Sequence, residues 1–227
     1  MNLSPILISM KTASLSILIT FILGIFAARW VVKIKSKKIL TIIDSILTLP
    51  LVLPPTVIGF FLLILFGVNR PIGKIILEYF SVKIVFSWIS TVIAAVVISF
   101  PLMYRSARGA FEQVDQTYIM AARTLGMSED KIFWTITMPL ALPGVASGGV
   151  LAFARGLGEF GATAMIAGNI ENRTRTLPMA IYSEVAAGNM DTAKNYVIVV
   201  LIISFTIMVL MNYFTFKGQI FLKKDEN

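Results

Sequence analysis

The 227-residue sequence contains no cysteine and no histidine. Disulfides and Cys or His metal sites are therefore excluded, and so is catalysis by a histidine base. The nearest match to a phosphate-binding loop, residues 67–75, is one residue too long and has Ile75 where Ser or Thr is needed. We expect no catalytic residue, no metal site and no cofactor bound by this chain.

Charged residues are also scarce, at 14% of the chain, whereas 57% of the residues are hydrophobic. The hydrophobic residues concentrate in five runs at about 12–32, 39–66, 84–104, 139–168 and 195–216. A bilayer core of about 30 Å needs roughly 20 helical residues, so each run is long enough to cross it. The sequence predicts one all-α, polytopic membrane domain over residues 1–227, with about five transmembrane helices and a polar helical loop at 105–138.

Lysine and arginine give the chain a net charge of +8, and they gather at the ends of the runs. Because of that placement we expect a lipid bilayer, and no nucleic acid, as the partner of these charges. One side of the membrane would hold 12 of them: Arg29, Lys33, Lys35, Lys37, Lys38, Arg105, Arg108, Arg123, Lys131, Lys217, Lys223 and Lys224. The other side would hold seven: Lys11, Arg70, Lys74, Lys83, Arg173, Arg175 and Lys194.

The side richer in basic residues is normally cytoplasmic. The N-terminus is then predicted outside and the C-terminus in the cytoplasm. A cleaved signal peptide ending near Ala27 and Ala28 is the alternative for the first run. The heavier basic cluster follows this run rather than preceding it, which favours a retained helix.

The polar loop has signals for two short helices. A helix from about Gln116 to Leu125 would end at Gly126, which suits the left-handed position after a helix. Ser128 can cap the next helix, and Glu129 and Asp130 place acids in its first turn. Pro139 and Pro143 would mark the entry into the fourth run. We expect two helices at an angle that present small residues, Ala121, Ala122 and Gly126, to a partner; an amphipathic loop lying on the membrane is the alternative.

The fourth run carries small residues at a spacing of four: Gly144, Gly148, Ala152 and Gly156. Such a stripe allows helices to pack closely in lipid, either within the chain or between subunits.

Two charged residues of the same run, Arg155 and Glu159, lie one turn apart and can pair. Because a charge facing lipid is costly, the pair should fix two helices together or line a pore or gate.

The second run contains Pro50, Pro54 and Pro55, which remove backbone donors and break the helix. Broken membrane helices line water or pack inside protein, so the break indicates either a conducting segment or a packing kink. Near the start of this run, Asp44 is predicted to pair locally with Lys37 or Lys38.

The loop sequence Ala-Ala-Arg-Thr-Leu-Gly (121–126), nine residues, then Ile-Thr-Met-Pro (136–139) resembles the loop of ABC-transporter permeases that docks on their ATPases. Met120 stands where that family often has Glu, which removes a possible charged contact; Glu129 and Asp130 could supply charge instead. Further stretches, Gly-Glu-Phe-Gly-Ala-Thr (158–163) and Asn-Ile (169–170) with Thr-Arg-Thr-Leu-Pro (174–178), resemble the molybdate permeases. Sulfate permeases are similar in these stretches.

The resemblance covers nearly the whole chain and implies a permease of an ATP-driven importer in the cell membrane. It implies a homodimer forming the pore, two cytosolic ABC ATPase subunits on the loops, and an extracytoplasmic molybdate-binding protein. The candidate residues of the ATPase-docking loop are Ala121, Ala122, Gly126, Ile136 and Pro139, which carry the resemblance, and Glu129 and Asp130, which could supply charge. The pore or gate candidates are Arg155, Gly156, Glu159, Thr163, Pro54, Pro55, Thr56 and Ser99. A sulfate or tungstate importer, or a self-sufficient secondary transporter, remains the alternative.

Overall fold

A computed structural model describes residues 2–224, with the backbone alone at residue 71 and at residues 210–224. The described residues form helices and contain no strand, which confirms the predicted all-α class. Residue 1 and residues 225–227, including the C-terminus whose side was predicted, lie outside the described residues. The helices are α1 (Ser4–Val32), α2 (Lys37–Val52), α3 (Pro55–Phe66), α4 (Pro71–Phe80), α5 (Trp88–Glu112), α6 (Gln116–Thr124), α7 (Glu129–Ile132), α8 (Met138–Leu157), α9 (Gly161–Ile166), α10 (Leu177–Ala186) and α11 (Met190–Lys224).

The centre of the fold is a bundle of α1, α5 and α8. The face of α1 that packs inward carries small and hydroxyl residues, and its outward face carries Leu18, Ile22 and Phe26. This arrangement is typical of membrane helices, because lipid is as apolar as leucine and close backbone packing drives association. The buried residues of this inward face include Ser9, Thr12, Ser16, Thr20, Gly24 and Ala28.

Hydroxyl groups link α1 to α5 inside this bundle. The Thr12 and Thr91 hydroxyls lie 2.9 Å apart, and those of Thr20 and Ser99 lie 3.2 Å apart. In a region without water such pairs satisfy polar groups that would otherwise be costly to bury. They fix the two helices in one register.

The small-residue stripe of α8 packs within the chain. A Cβ at Gly144 would come within 2.8 Å of the Ala110 Cβ, and one at Gly148 would overlap the Cβ of Ser106. Both neighbours belong to α5. Of the two alternatives for the stripe, packing within the chain is the one observed at Gly144 and Gly148, and α5 is the helix that the stripe approaches there.

Within the described part of the chain, four helical stretches are long and apolar enough to cross a membrane: Ser4–Val32, Trp88–Glu112, Glu129–Leu157 and Met190–Val209. A fifth span is possible if α2 and α3 count as one, although they are bent by 109°. The first span begins at Ser4 instead of residue 12, and α5 continues past Tyr104 to Glu112. The predicted break of the second run is confirmed at Leu53 and Pro54, between α2 and α3.

The fourth span differs from its prediction at both ends. α7 and α8 form one continuous helix through a π-helical turn at Phe133–Thr137, so the prediction that the span begins near Pro139 is wrong. The π turn allows the helix to continue past Pro139. Met138 donates its N–H to Phe133 O, five residues back, and this wider turn accommodates Pro139, which has no N–H to donate. At the other end α8 stops at Leu157, and Gly158–Phe160 separate it from α9.

Candidate functional site

The loop between α5 and α8 contains the helix caps and the glycine turn described below. The Asp115 carboxylate accepts the Thr117 N–H at 2.8 Å at the start of α6, and this bond lowers the pKa of Asp115. Gly126 follows α6 with φ of +74°, the left-handed conformation that glycine adopts without strain. Ser128 accepts the Lys131 N–H at 3.4 Å at the start of α7. The predicted turn between the two helices is confirmed.

The outer face of the loop is more apolar than predicted. Ala121 and Gly126 are exposed, but Ala122 is only 3% exposed and packs in the core, so its predicted place on the surface is wrong. Leu125, at 81% exposure, is the residue that the sequence reasoning missed, together with Tyr118 and Met120. The spacing in the sequence could have predicted this apolar face, because Tyr118, Ala121 and Leu125 are three and four residues apart and therefore lie on one helix face.

Two ion pairs link α6 to α7 and α7 to α1. Arg123 donates to both carboxylate oxygens of Glu129, at 2.6 and 3.1 Å, which raises the pKa of Arg123. Asp130 pairs with Arg29 at the end of α1, and the Arg29 guanidinium lies 4.2 Å from the centre of the Phe133 ring. The acids proposed as partners of an ATPase therefore already have partners within the chain.

The last two predicted loop residues lie on the long helix that follows. Ile136 is half-buried in the π turn and packs against the core, whereas Pro139 is exposed in the first turn of α8. A cavity of about 460 Å³ separates the loop from the end of α1. Its lining combines four basic residues, Arg29, Lys33, Lys35 and Arg123, with Glu129 and with apolar side chains such as Phe111 and Phe133.

The break between α2 and α3 lies against the break between α8 and α9. A Cβ at Gly161, where α9 begins, would come within 2.9 Å of the Pro55 Cβ, at the start of α3. One turn further along α3, a Cβ at Gly59 would come within 2.7 Å of Ala162 Cα. Pro54 and Thr56 are exposed beside this contact, and Pro55 is half-buried.

The predicted pair of Arg155 and Glu159 is confirmed, with Arg155 Nη1 2.8 Å from Glu159 Oε2. Glu159 lies in the break after α8 rather than inside a continuous span. Its other oxygen, Oε1, accepts the Ala162 N–H at 2.8 Å. The Glu159 side chain is 2% exposed and that of Arg155 33% exposed. The carboxylate therefore joins α8 to α9 across the break.

The other pore candidates divide by burial. Ser99 and Thr163 are buried, and the Ser99 hydroxyl donates to Ala95 O at 2.7 Å. Gly156 is also buried and faces Ser16 of α1. Of the three hydroxyl candidates only Thr56 is exposed on the single chain.

Asp44 has different partners from those predicted. It accepts hydrogen bonds from Tyr104 Oη at 2.7 Å and from Arg108 Nη1 at 2.5 Å, so the predicted local pair with Lys37 or Lys38 is wrong. The reason is geometric: α2 packs on α5 with Asp44 on the contacting face.

The stretch at 169–178 is structural. Asn169 Oδ1 accepts from Arg175 Nε at 2.9 Å, and Asn169 Nδ2 donates to Ser183 Oγ of α10 at 2.6 Å. Leu177 N donates to Ser9 Oγ of α1 at 2.7 Å. These bonds close the loop after α9 and attach α10 to the end of α1 opposite Arg29.

Comparison with known families gives one decisive match. Residues 20–216 match the family described as "Binding-protein-dependent transport system inner membrane component". The chain belongs to this family. It is therefore a multi-pass membrane transport component, and the resemblance seen in the sequence is confirmed.

Two curated relatives of this transport component are similar over most of their length. The putative molybdenum transport system permease protein YvgM of Bacillus subtilis (strain 168) is 41% identical over 205 residues, 90% of each chain. The molybdenum transport system permease protein ModB of Escherichia coli (strain K12) is 47% identical over 178 residues, 78% of this chain and 77% of that protein.

Solved structures of ABC transporters share the fold of this transport component. An inward-facing structure of the MetNI methionine ABC transporter matches with a TM-score of 0.74 at 14% identity, over 94% of each chain. A bacterial ABC transporter that imports alginate matches with a TM-score of 0.74 at 16% identity, over 95% of this chain and 79% of that one. The predicted importer permease fold is confirmed.

Proposed function

We propose that this chain is the permease subunit of an ATP-driven molybdate importer. The observation that carries the proposal is the exposed apolar face of α6, formed by Tyr118, Ala121 and Leu125. It projects from the end of the bundle that holds Arg29 and Arg105, and an ion pair links α6 to α7. An ATPase seated on this face would cover apolar surface that the chain itself leaves in water.

The assembly has two copies of the chain forming the pore, two cytosolic ATPase subunits and an extracytoplasmic binding protein. The loop end, with its excess of basic residues, faces the cytoplasm. The N-terminus, which lies at the opposite end of α1, is then outside. The chain itself binds no cofactor, because the ATPase subunits hold the nucleotide and do the hydrolysis.

The facing helix breaks are the proposed translocation site. The exposed hydroxyl of Thr56 lies beside these breaks and can donate a hydrogen bond to a passing oxyanion. Arg155 contributes little net charge there because Glu159 neutralises it. Weak binding at this site allows rapid release, so selection among oxyanions resides in the binding protein.

Molybdate is the proposed substrate because two of the relatives that resemble this chain over most of its length are named as molybdenum permeases. The test is uptake by proteoliposomes that hold the chain, its ATPase and its native binding protein. We expect molybdate uptake that tungstate reduces and that a large excess of sulfate leaves unchanged. Loss of molybdate uptake in the presence of sulfate would identify a sulfate importer instead.

A further inference from the structure

One polar network joins α2 to α5. Asp44 Oδ1 of α2 accepts from Tyr104 Oη at 2.7 Å and from Arg108 Nη1 at 2.5 Å. On its other side Arg108 donates from Nε to Glu112 Oε1 at 2.8 Å. Arg108 thus lies between one carboxylate on α2 and another on its own helix.

Apart from this network α2 is weakly attached to the chain. None of its residues is fully buried. The half-buried Leu40, Ile43 and Leu47 pack against the core, and Asp44 lies on the same helix face. Three isoleucines of α2, Ile39, Ile42 and Ile46, are exposed. The ion pair is therefore the directional contact that sets where α2 sits on α5.

The α5 end of the network belongs to the polar loop at 105–138, here called the docking loop. Phe111, one turn after Arg108, is buried in the same cluster as Ile119 and Ala122 of α6 and Phe133 of the π turn. The rings of Phe111 and Phe133 meet edge-to-face at 5.2 Å. A displacement of α6 therefore moves the last turn of α5, because close-packed side chains shift together.

The α2 end of the network leads to the helix breaks. Val52, the last residue of α2, is eight residues after Asp44, a helical rise of about 12 Å. Leu53 and Pro54 follow, and then Pro55, which lies against Gly161. A shift of α2 at Asp44 would thus reach the facing breaks.

The network is placed where it can change partners. The side chains of Arg108 and Asp44 are 20% and 29% exposed, so water can stabilise them when they separate. A cavity of about 250 Å³ adjoins them, lined by Asp44, Arg105, Arg108, Gly109 and Glu112. Arg108 can keep its bond to Glu112 while Asp44 moves away. A contact that is made in one conformation and broken in another can link the movements of two helices.

We propose that Arg108 is a positioning residue for transport: through Asp44 it transmits movement of the docking loop to α2 and to the facing helix breaks. This role rests on the proposed function as an ATP-driven permease. The proposed role requires no contact between Arg108 and the transported anion. It concerns only the link between ATP hydrolysis and transport.

The test is the number of anions transported per ATP hydrolysed by the reconstituted complex. Asp44→Asn and Arg108→Gln should each lower this ratio by about fivefold or more, the size of a typical coupling between sites. The double variant should be no worse than either single one, because all three lack the same link. Tyr104→Phe, which removes one hydrogen bond to Asp44, should lower the ratio less. Lys37→Gln with Lys38→Gln is the matched control and should leave it unchanged.

The proposal is overturned if uptake and ATP hydrolysis fall together, so that the ratio stays that of the wild type while the melting temperature of the complex drops. Additive losses in the double variant would also overturn it. Should Asp44→Asn fail to assemble with the ATPase, Arg108→Lys, which keeps the positive charge, is measured in its place. The same criterion applies: a lower number of anions transported per ATP supports the proposal, and the wild-type number overturns it. Failure of the proposed function is a separate result, because then the wild-type complex itself transports no oxyanion.

Discussion

Gly161 lies against Pro55 so closely that a Cβ on Gly161 would come within 2.9 Å of the Pro55 Cβ. The contact joins the break between α2 and α3 to the break between α8 and α9. Neither break can move alone without opening this contact. The chain therefore presents its two interrupted spans as one unit.

Enlarging Gly161 should separate the two breaks. We expect Gly161→Val to destabilise the protein by about 1–3 kcal/mol, the usual cost of overpacking, and to reduce uptake. Melting temperature and uptake of the reconstituted complex measure the two effects. Gly158→Ala is the matched control in the same break, because its nearest neighbour would be Ala154 O at 3.6 Å, an ordinary contact. Equal behaviour of the two variants would contradict the account of this contact.

The docking loop can be tested at Gly126, where no neighbouring atom lies within 4 Å of an added Cβ. Gly126→Trp should prevent the ATPase from seating and abolish uptake while the chain still inserts in the membrane. The left-handed backbone alone costs a non-glycine residue about 1–2 kcal/mol. Gly126→Asn is the control, because asparagine tolerates this conformation and adds little bulk. Copurification of the ATPase and uptake are the measurements; normal uptake by the Trp variant would refute docking through this face.

The ion pair in the break should show strong non-additivity. Arg155→Gln leaves the buried Glu159 carboxylate without its charged partner, and breaking a buried pair costs about 3–5 kcal/mol. Because a third of Arg155 is exposed, we expect the lower end of that range. The double change Arg155→Gln with Glu159→Gln should be less harmful than Arg155→Gln alone. Melting temperatures of the wild type, the single variants Arg155→Gln and Glu159→Gln, and the double variant form the cycle, and additive losses would argue against a direct pair.

The seam between α5 and α8 gives a prediction that concerns folding alone. Gly148→Ala should destabilise the chain by about 1–3 kcal/mol, because its Cβ would overlap Ser106. Gly109→Ala in α5 is the control: a Cβ at Gly109 would have no neighbouring atom within 4 Å, so this change should not destabilise the chain in this way. Thermal unfolding in detergent compares them. A stable Gly148→Ala protein would show that the seam has room to spare.

Sequence patterns were sufficient where the deciding interaction is local. The turn at Gly126, the cap at Ser128 and the break at Pro54 each depend on a few neighbouring residues. The pair of Arg155 and Glu159 also followed from spacing, although the end of α8 between them did not. The stripe beginning at Gly144 predicted close packing but did not identify α5 as its partner.

Interactions between distant segments were beyond such patterns. Asp44 has lysines nearby in sequence, yet Arg108, 64 residues away, is its partner because of how α2 packs on α5. The helix continues through Pro139 because of a π turn that no local sequence pattern predicted. Ala122 could not be separated from Ala121 without knowing which face of α6 meets Phe111. In each case tertiary packing decided between local possibilities.

In the proposed assembly this chain conducts the anion, and the ATPase subunits supply the energy for transport. Proteoliposomes that contain the purified chain alone, without nucleotide, ATPase or binding protein, measure it most directly. The account predicts molybdate uptake no greater than that of empty liposomes, with uptake appearing only when the ATPase, the binding protein and ATP are all present. Sustained molybdate transport by the chain alone would contradict it.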